Sequence, residues 1–182
     1  DGGSIDGFVR GEELDMVLRP DPATFALYPW NAGDGAEARL ICDIGMPDGS
    51  PFEGCPRTTL RHAVDSAAKT LPAVQLGLEI EFYLFDAAHT AGSAGSTSTQ
   101  DVGSYFDFSA NDKGEDARNA IVAALQAMGV PVASAHHEHG AGQHEVDIAR
   151  CDPLAAADHV LTLRTIVKHV AARFGLEATF MP

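Results

Sequence analysis

Hydrophobic positions recur along this chain with two periods, and the switches between them mark its elements. From Val74 to Phe85 the period is two. Leu76, Leu78, Ile80, Phe82 and Leu84 take one face of a strand, and Glu79, Glu81 and Tyr83 take the other. Two carboxylates thus leave the strand on the same side. From Pro56 to Thr70 the spacing is helical, through Leu60, Ala63, Val64, Ala67 and Ala68, until Pro72 ends it. A second helix is predicted from Glu115 to Met128, carried by Ala117, Ile121, Ala124, Leu125 and Met128. Gly129 suits the left-handed position after its end. Val130 to Ala135 reads as a short apolar strand. Gln143 to Ala149 is extended again, with Gln143, Glu145 and Asp147 on one face and His144, Val146 and Ile148 on the other. Asp152-Pro153 is a helix start, a capping carboxylate followed by a proline that needs no N–H. That helix can run to Phe174, before Gly175 and a final strand from Leu176 to Met181.

Residues 1 to 50 read differently. Leu14 to Leu18, Thr24 to Leu27 and Ala38 to Ile44 are strand-like, separated by Pro20, Pro22, Pro29, Asn31-Ala-Gly and Asp34-Gly. These strands are too few to close a stable sheet unaided. Ala87 to Ser104, rich in Gly, Ser, Thr and Ala, has no periodicity and is expected to be a long loop. Two segments follow, a β-rich one over 1–50 and an α/β one over 51–182. The second suits a helix-backed sheet or part of an α/β barrel.

Composition narrows the partners. The 182 residues are 45% hydrophobic, enough for an ordinary core, and the net charge is −14, with 12 Lys and Arg against 26 Asp and Glu. Such a balance supplies no basic footprint for nucleic acid or an anionic membrane. Cys42, Cys55 and Cys151 are far apart and in no CxxC pattern, so neither a disulfide framework nor a thiolate zinc site is indicated. The start, DGGSIDGF, has no cationic lead or apolar run, and a cytoplasmic chain is expected. Opening on Asp1 without a Met and stopping at Met181-Pro182 directly after an apolar run, the chain reads as a piece of a longer one.

Candidate chemistry concentrates in His136 to Ile148, HHEHGAGQHEVDI, where Glu138 and Glu145 flank a flexible His-Gly-Ala-Gly-Gln-His link. Together with Glu79 and Glu81 they would repel one another unless a cation lay among them, and all-oxygen ligation suits Mg²⁺ or Mn²⁺. Zinc-protease spacing is absent: a His would be needed at 141, which is Ala, or at 148, which is Ile. GAGQHE lacks the Lys-Ser/Thr of a P-loop and does not open a helix as a dinucleotide-binding loop does. His136 and His137 are expected to flank the site, and His62, His159 and His169 to lie on helix surfaces. His139 and His144 stay unassigned.

These residues, read in order, resemble the glutamine synthetase family. The resemblance runs through DGGSIDGF, LRPDPATF with the ALYPW that follows, PDGSPFEGCPRTTL, GLEIEFYLFD, SYFD, HHEHGAGQHEVD and ATFMP. It implies an α+β fold, the end of a β-grasp-like domain over 1–50 followed by the first part of an α/β catalytic barrel over 51–182. It implies that Glu81, Glu138 and Glu145 ligate the metal near glutamate, and that Glu79 is the first ligand of the metal holding the ATP phosphates. Asp1 and Ser4 match the loop that reaches a neighbouring subunit's site to bind and deprotonate ammonium, and Tyr105 matches the tyrosine lining that pocket. The implied reaction is ATP-dependent ligation of glutamate and ammonium through γ-glutamyl phosphate, in a homo-oligomeric ring. Gly3, Leu14 and Ala133 depart from the family pattern, which admits a paralogue acting on another amine. The family's Lys-Pro and Gly-rich nucleotide segment, second-metal histidine and glutamate-binding arginines are not in this sequence, so this chain alone is expected to be inactive.

Overall fold

In the computed structural model of the protein the described residues are 15–31, 33–87, 99 and 101–181. Asp1, Ser4, Gly3 and Leu14 lie outside them, as does most of the predicted 87–104 loop. Contacts divide the chain into two units: the described part of 1–75 with 152–158, and 76–151 with 159–182.

The first unit holds two small antiparallel ladders. Strand β1 (Val17–Pro20) pairs with β4 (Cys42–Gly45), and β2 (Ala26–Leu27) pairs with β3 (Ala38–Arg39). The strand expected over Ala38 to Ile44 is therefore two. It breaks because Ile41 spends its backbone groups on the opposite turn, donating N–H to Thr24 Oγ1 (2.8 Å) and accepting from Asp21 N (2.9 Å). Pro22–Thr24 is a short 3₁₀ turn capped by the Asp21 carboxylate, so Thr24 belongs to a turn rather than to the expected strand.

Arg57, in α1 (Pro56–Ala67), ties this unit together. Its guanidinium donates to Asp21 Oδ2 (2.7 Å), Asp43 Oδ1 (2.7 Å) and both oxygens of Asp158 (3.1 and 3.0 Å), and the side chain is 9% exposed. The surrounding carboxylates push its pKa up, against the opposing effect of burial. A planar fork with five donors makes all four bonds at once, one more than the three donors of a lysine allow.

The second unit is one four-stranded antiparallel sheet, in the order β6 (Val132–His137), β7 (Gln143–Cys151), β5 (Leu76–Asp86), β8 (Leu176–Thr179). Alternation along β5 is as the sequence predicts: Phe82 and Leu84 are buried, Glu79 and Glu81 exposed. Phe82, Leu84, Val146 and Ile148 are buried together with Ile121 and Leu125 of α2 (Glu115–Ala127). Leu163, Ile166 and Val167 of α3 (Pro153–Arg173) are fully buried as well. Gly129 closes α2 at φ +80°. Among the described residues no helix is long and apolar enough to cross a membrane.

Candidate metal centre

Register decides which side chains meet. Between β5 and β7 the opposed pairs are Glu79 with Asp147, Glu81 with Glu145 and Tyr83 with Gln143; between β6 and β7 they are Ser134 with Asp147 and His136 with Glu145. Opposed residues share a face with Cβ atoms ~5 Å apart. Glu81, Glu145 and His136 thus form one row across three strands, and Glu79, Asp147 and Ser134 form the next.

Glu138 joins the row from just beyond β6. Its N–H donates to Gln143 O (2.8 Å) and its Oε2 accepts from His139 N (3.0 Å). His136 stands between the acids, its Nδ1 3.5 Å from Glu138 Oε1 and its Nε2 3.9 Å from Glu145 Oε2. Glu138 and Glu145 are each 8% exposed, so water screens their repulsion poorly. Burial first, then Asp147 and Glu138, push the Glu145 carboxyl up to about 8.

The donor set fits a hard divalent cation. Carboxylates that resist ionising side by side have their charge neutralised by such an ion, and a buried oxygen of Asp147, Oδ1, has no hydrogen-bond partner. His136, Glu145 and Asp147 offer ligand atoms within 4.8 Å of one another. Asp147 is the acid that sequence reasoning passed over, although its parity with Glu145 along β7 already put it on this face. A cleft of about 260 Å³ beside Glu81 is lined also by Tyr83, Gln143, Phe180 and Met181.

His137 and His144 are not part of this face. They oppose each other across β6 and β7 on the buried side, both 0% exposed, with Asp101, Asp112 and Arg118. Arg118 Nη1 reaches Asp112 Oδ2 (2.7 Å) and donates to His144 Nδ1 (2.9 Å). Burial and that guanidinium push the His144 pKa down to about 3, which keeps the ring neutral. Two acids and two imidazoles could hold a metal elsewhere, but here Arg118 already supplies the cation. The cluster works as a clasp. His137 Nδ1 donates to Glu138 O (2.6 Å), its Nε2 meets Asp101 Oδ1 (3.2 Å), and that oxygen also accepts Gly142 N (2.7 Å). The turn that carries Glu138 is thus fastened from beneath. Gly142, at φ +67°, packs so closely on Leu84 O that any Cβ would clash.

Two family models match the chain: "Glutamine synthetase, beta-Grasp domain" over residues 1–47 and "Glutamine synthetase, catalytic domain" over residues 53–182. The chain belongs to the glutamine synthetase family. It is 45% identical over 182 residues to the glutamine synthetase of Clostridium saccharobutylicum, covering 100% of this chain and 41% of that one. To the glutamine synthetase of Thermus thermophilus it is 46% identical over 186 residues, with the same coverage. Among solved structures it matches a Plasmodium falciparum glutamine synthetase with a TM-score of 0.83 at 25% identity, over 100% of this chain and 40% of that one. It also matches ligand-free GmaS with a TM-score of 0.79 at 28% identity, over 96% and 40%. The chain therefore spans about two fifths of these relatives. Its fold is the family's β-grasp part followed by part of the catalytic domain.

On the glutamine synthetase scaffold the remaining aromatic and histidine positions gain a place. Tyr105 stacks on His139 (4.6 Å between centroids) and meets His136 edge-on (5.5 Å), while Phe106, at φ +55°, stacks on His136 (4.2 Å). Tyr105 and the otherwise unassigned His139 thus border the carboxylate row. Phe106, which stacks on His136, stood in the SYFD stretch with no role assigned to it. His62 and His169 are exposed as expected, and His159 is half-buried.

Proposed function

We propose that this chain carries one wall of the active site of a glutamine synthetase, an ATP- and divalent-metal-dependent ligase that forms glutamine from glutamate and ammonium through γ-glutamyl phosphate. The observation that carries the reading is the opposition of Glu81 and Glu145 across β5 and β7, with Glu138 close enough to help hold Glu145 protonated. Glu81, Glu138 and Glu145 hold Mg²⁺ or Mn²⁺ near glutamate, and Glu79, one row away, contributes to the site of the ion that holds the ATP phosphates. Bound there, such ions neutralise the repulsion between a carboxylate and a triphosphate and place the two in line. Tyr105 lines the ammonium pocket; Asp1 and Ser4 serve a neighbouring subunit, Asp1 taking the proton from ammonium. The working protein on this reading is a cytoplasmic homo-oligomer, with the domain change near residue 50.

Mn²⁺ titration of the 182-residue chain and of Glu138→Ala, by calorimetry or electron paramagnetic resonance, tests the metal centre. Wild type is expected to bind, and the variant to bind at least ~10-fold more weakly. An absence of binding in wild type removes the reading. Phosphate release dependent on ATP and glutamate separates a self-sufficient enzyme from a metal-binding piece of one, and none is expected from this chain alone. Gly3, Leu14 and Ala133 favour a second reading, a γ-glutamyl ligase for another amine. A panel of amines offered to a chain extended to the relatives' length decides between them.

A further inference from the structure

We infer that Gln143 is a positioning residue: it orients Glu81 and locks that carboxylate to the turn presenting Glu138. The inference rests on the metal-centre reading above and goes beyond it, since Gln143 itself ligates nothing.

Gln143 opens β7, and each of its polar groups is engaged. Its backbone N–H donates to Gly140 O (2.9 Å), and its backbone O accepts Glu138 N–H (2.8 Å), which closes the turn. Its side-chain Oε1 accepts Gly140 N–H (2.9 Å), and its Nε2 donates to Glu81 Oε2 (2.7 Å). A backbone N–H can only donate and a carboxylate can only accept, so the network sets the amide's orientation without ambiguity. An amide offers an acceptor and a donor at the two tips of one rigid group. A glutamate would set a second carboxylate against Glu81, and a shorter asparagine would not span both partners.

The consequence falls on Glu81. Its strand position leaves the side chain exposed, with several rotamers open to it. The bond from Gln143 holds one oxygen and leaves the other for a cation. The same amide grips the turn through Gly140, where a Cβ would come within 2.7 Å of Gln143 Oε1 and 3.1 Å of Tyr83 Oη. Two carboxylates from separate elements, Glu81 on β5 and Glu138 in the turn, are thereby spaced before any ion arrives. Preorganisation of this kind appears as affinity, because less freedom is lost on binding.

A double-mutant cycle read by Mn²⁺ affinity tests it on the 182-residue chain. Gln143→Ala is expected to weaken binding ~10-fold in the wild-type background and by less than about twofold in Glu81→Ala. Equal losses in both backgrounds would overturn the inference, since they would mean that Gln143 merely supports the turn. Metal-free NMR provides the second measurement. The Gln143 side-chain amide protons are expected to be shifted and slow to exchange, and to collapse to solvent-like values in Glu81→Ala while the Gly140 backbone amide stays in place. Solvent-like signals in wild type also overturn the inference. Failure of wild type to bind Mn²⁺ removes the metal-centre reading instead, and the amide signals then still decide whether Gln143 holds Glu81.

Discussion

Replacing Glu145 with glutamine should make the metal-free protein more stable at neutral pH while removing its ability to hold a cation. In the folded chain the Glu145 carboxyl keeps its proton up to about 8, whereas an unperturbed glutamate gives it up near 4.5. The stability associated with that protonated form is complete below pH 4.5 and is lost as pH rises towards 8. At pH 7 the gap is about 2.5 units, which at ~1.4 kcal/mol per unit sets an upper limit of ~3.5 kcal/mol, and relaxation around the buried charge lowers the expected value to ~1–3 kcal/mol. Coulomb repulsion has the same size: carboxylate oxygens of Glu145 and Asp147 lie within 4.8 Å of each other, and two unit charges at about that distance in an effective dielectric of ~20 repel by about 3 kcal/mol. Glutamine has the shape of the protonated acid, cannot ionise, and offers N–H donors to Asp147 and Glu138. Glu145→Gln should therefore match wild type at pH 4.5 and exceed it by ~1–3 kcal/mol at pH 7. Urea unfolding followed by far-UV circular dichroism in EDTA, at several pH values between 4.5 and 8, measures the difference. Saturating Mn²⁺ should reverse the order, adding ~2.7 kcal/mol to wild type at a hundredfold excess over Kd and little to the variant. Parallel pH profiles for the two proteins would refute the idea that these carboxylates are held against their own repulsion.

The same protonation has a signature in binding. Mn²⁺ should displace about one proton from Glu145 at pH 7, and apparent affinity should rise ~10-fold per pH unit from about 5 to 8 before levelling. Calorimetry in two buffers of different ionisation enthalpy counts the protons, and a count of zero at pH 7 would contradict the assignment. In the first unit, Arg57→Met should cost ~3 kcal/mol, because it removes the guanidinium that the nearly buried Asp158 shares with Asp21 and Asp43, of which Asp43 keeps Arg61. Thermal unfolding reads this directly, and a loss below ~0.5 kcal/mol would place Arg57 among ordinary surface ion pairs.

Much of the site was legible because strand parity is a local property. Alternation along β5 put Glu79 and Glu81 on one side and Phe82 and Leu84 on the other, and the sheet keeps that division. The same parity along β7 separated His144 from Glu145. What it could not supply was a partner for His144. Arg118 is 26 residues away and holds the ring only after α2 has folded over the sheet. Asp101 is more remote still, 36 residues from His137 and 41 from Gly142, both of which it fastens. His137 shows the limit most clearly. Next to Glu138 in sequence, it was expected to flank the acids, yet as the neighbour of His136 on a strand it faces the other way. The first unit was read less well, since its strands are too short for periodicity to register a break at Ile41 that a hydrogen bond from Thr24 decides.

Sequence alone determined the order of elements in the second unit, the acidic faces of β5 and β7 and, through a chain-long resemblance, the family. These follow from which residues neighbour which along the chain. Only the tertiary structure decided the register that opposes Glu81 to Glu145, because sliding one strand by a single residue would turn every side chain to the opposite face and leave its own alternation unchanged. The hold of Gln143 on Glu81 depends on that one choice.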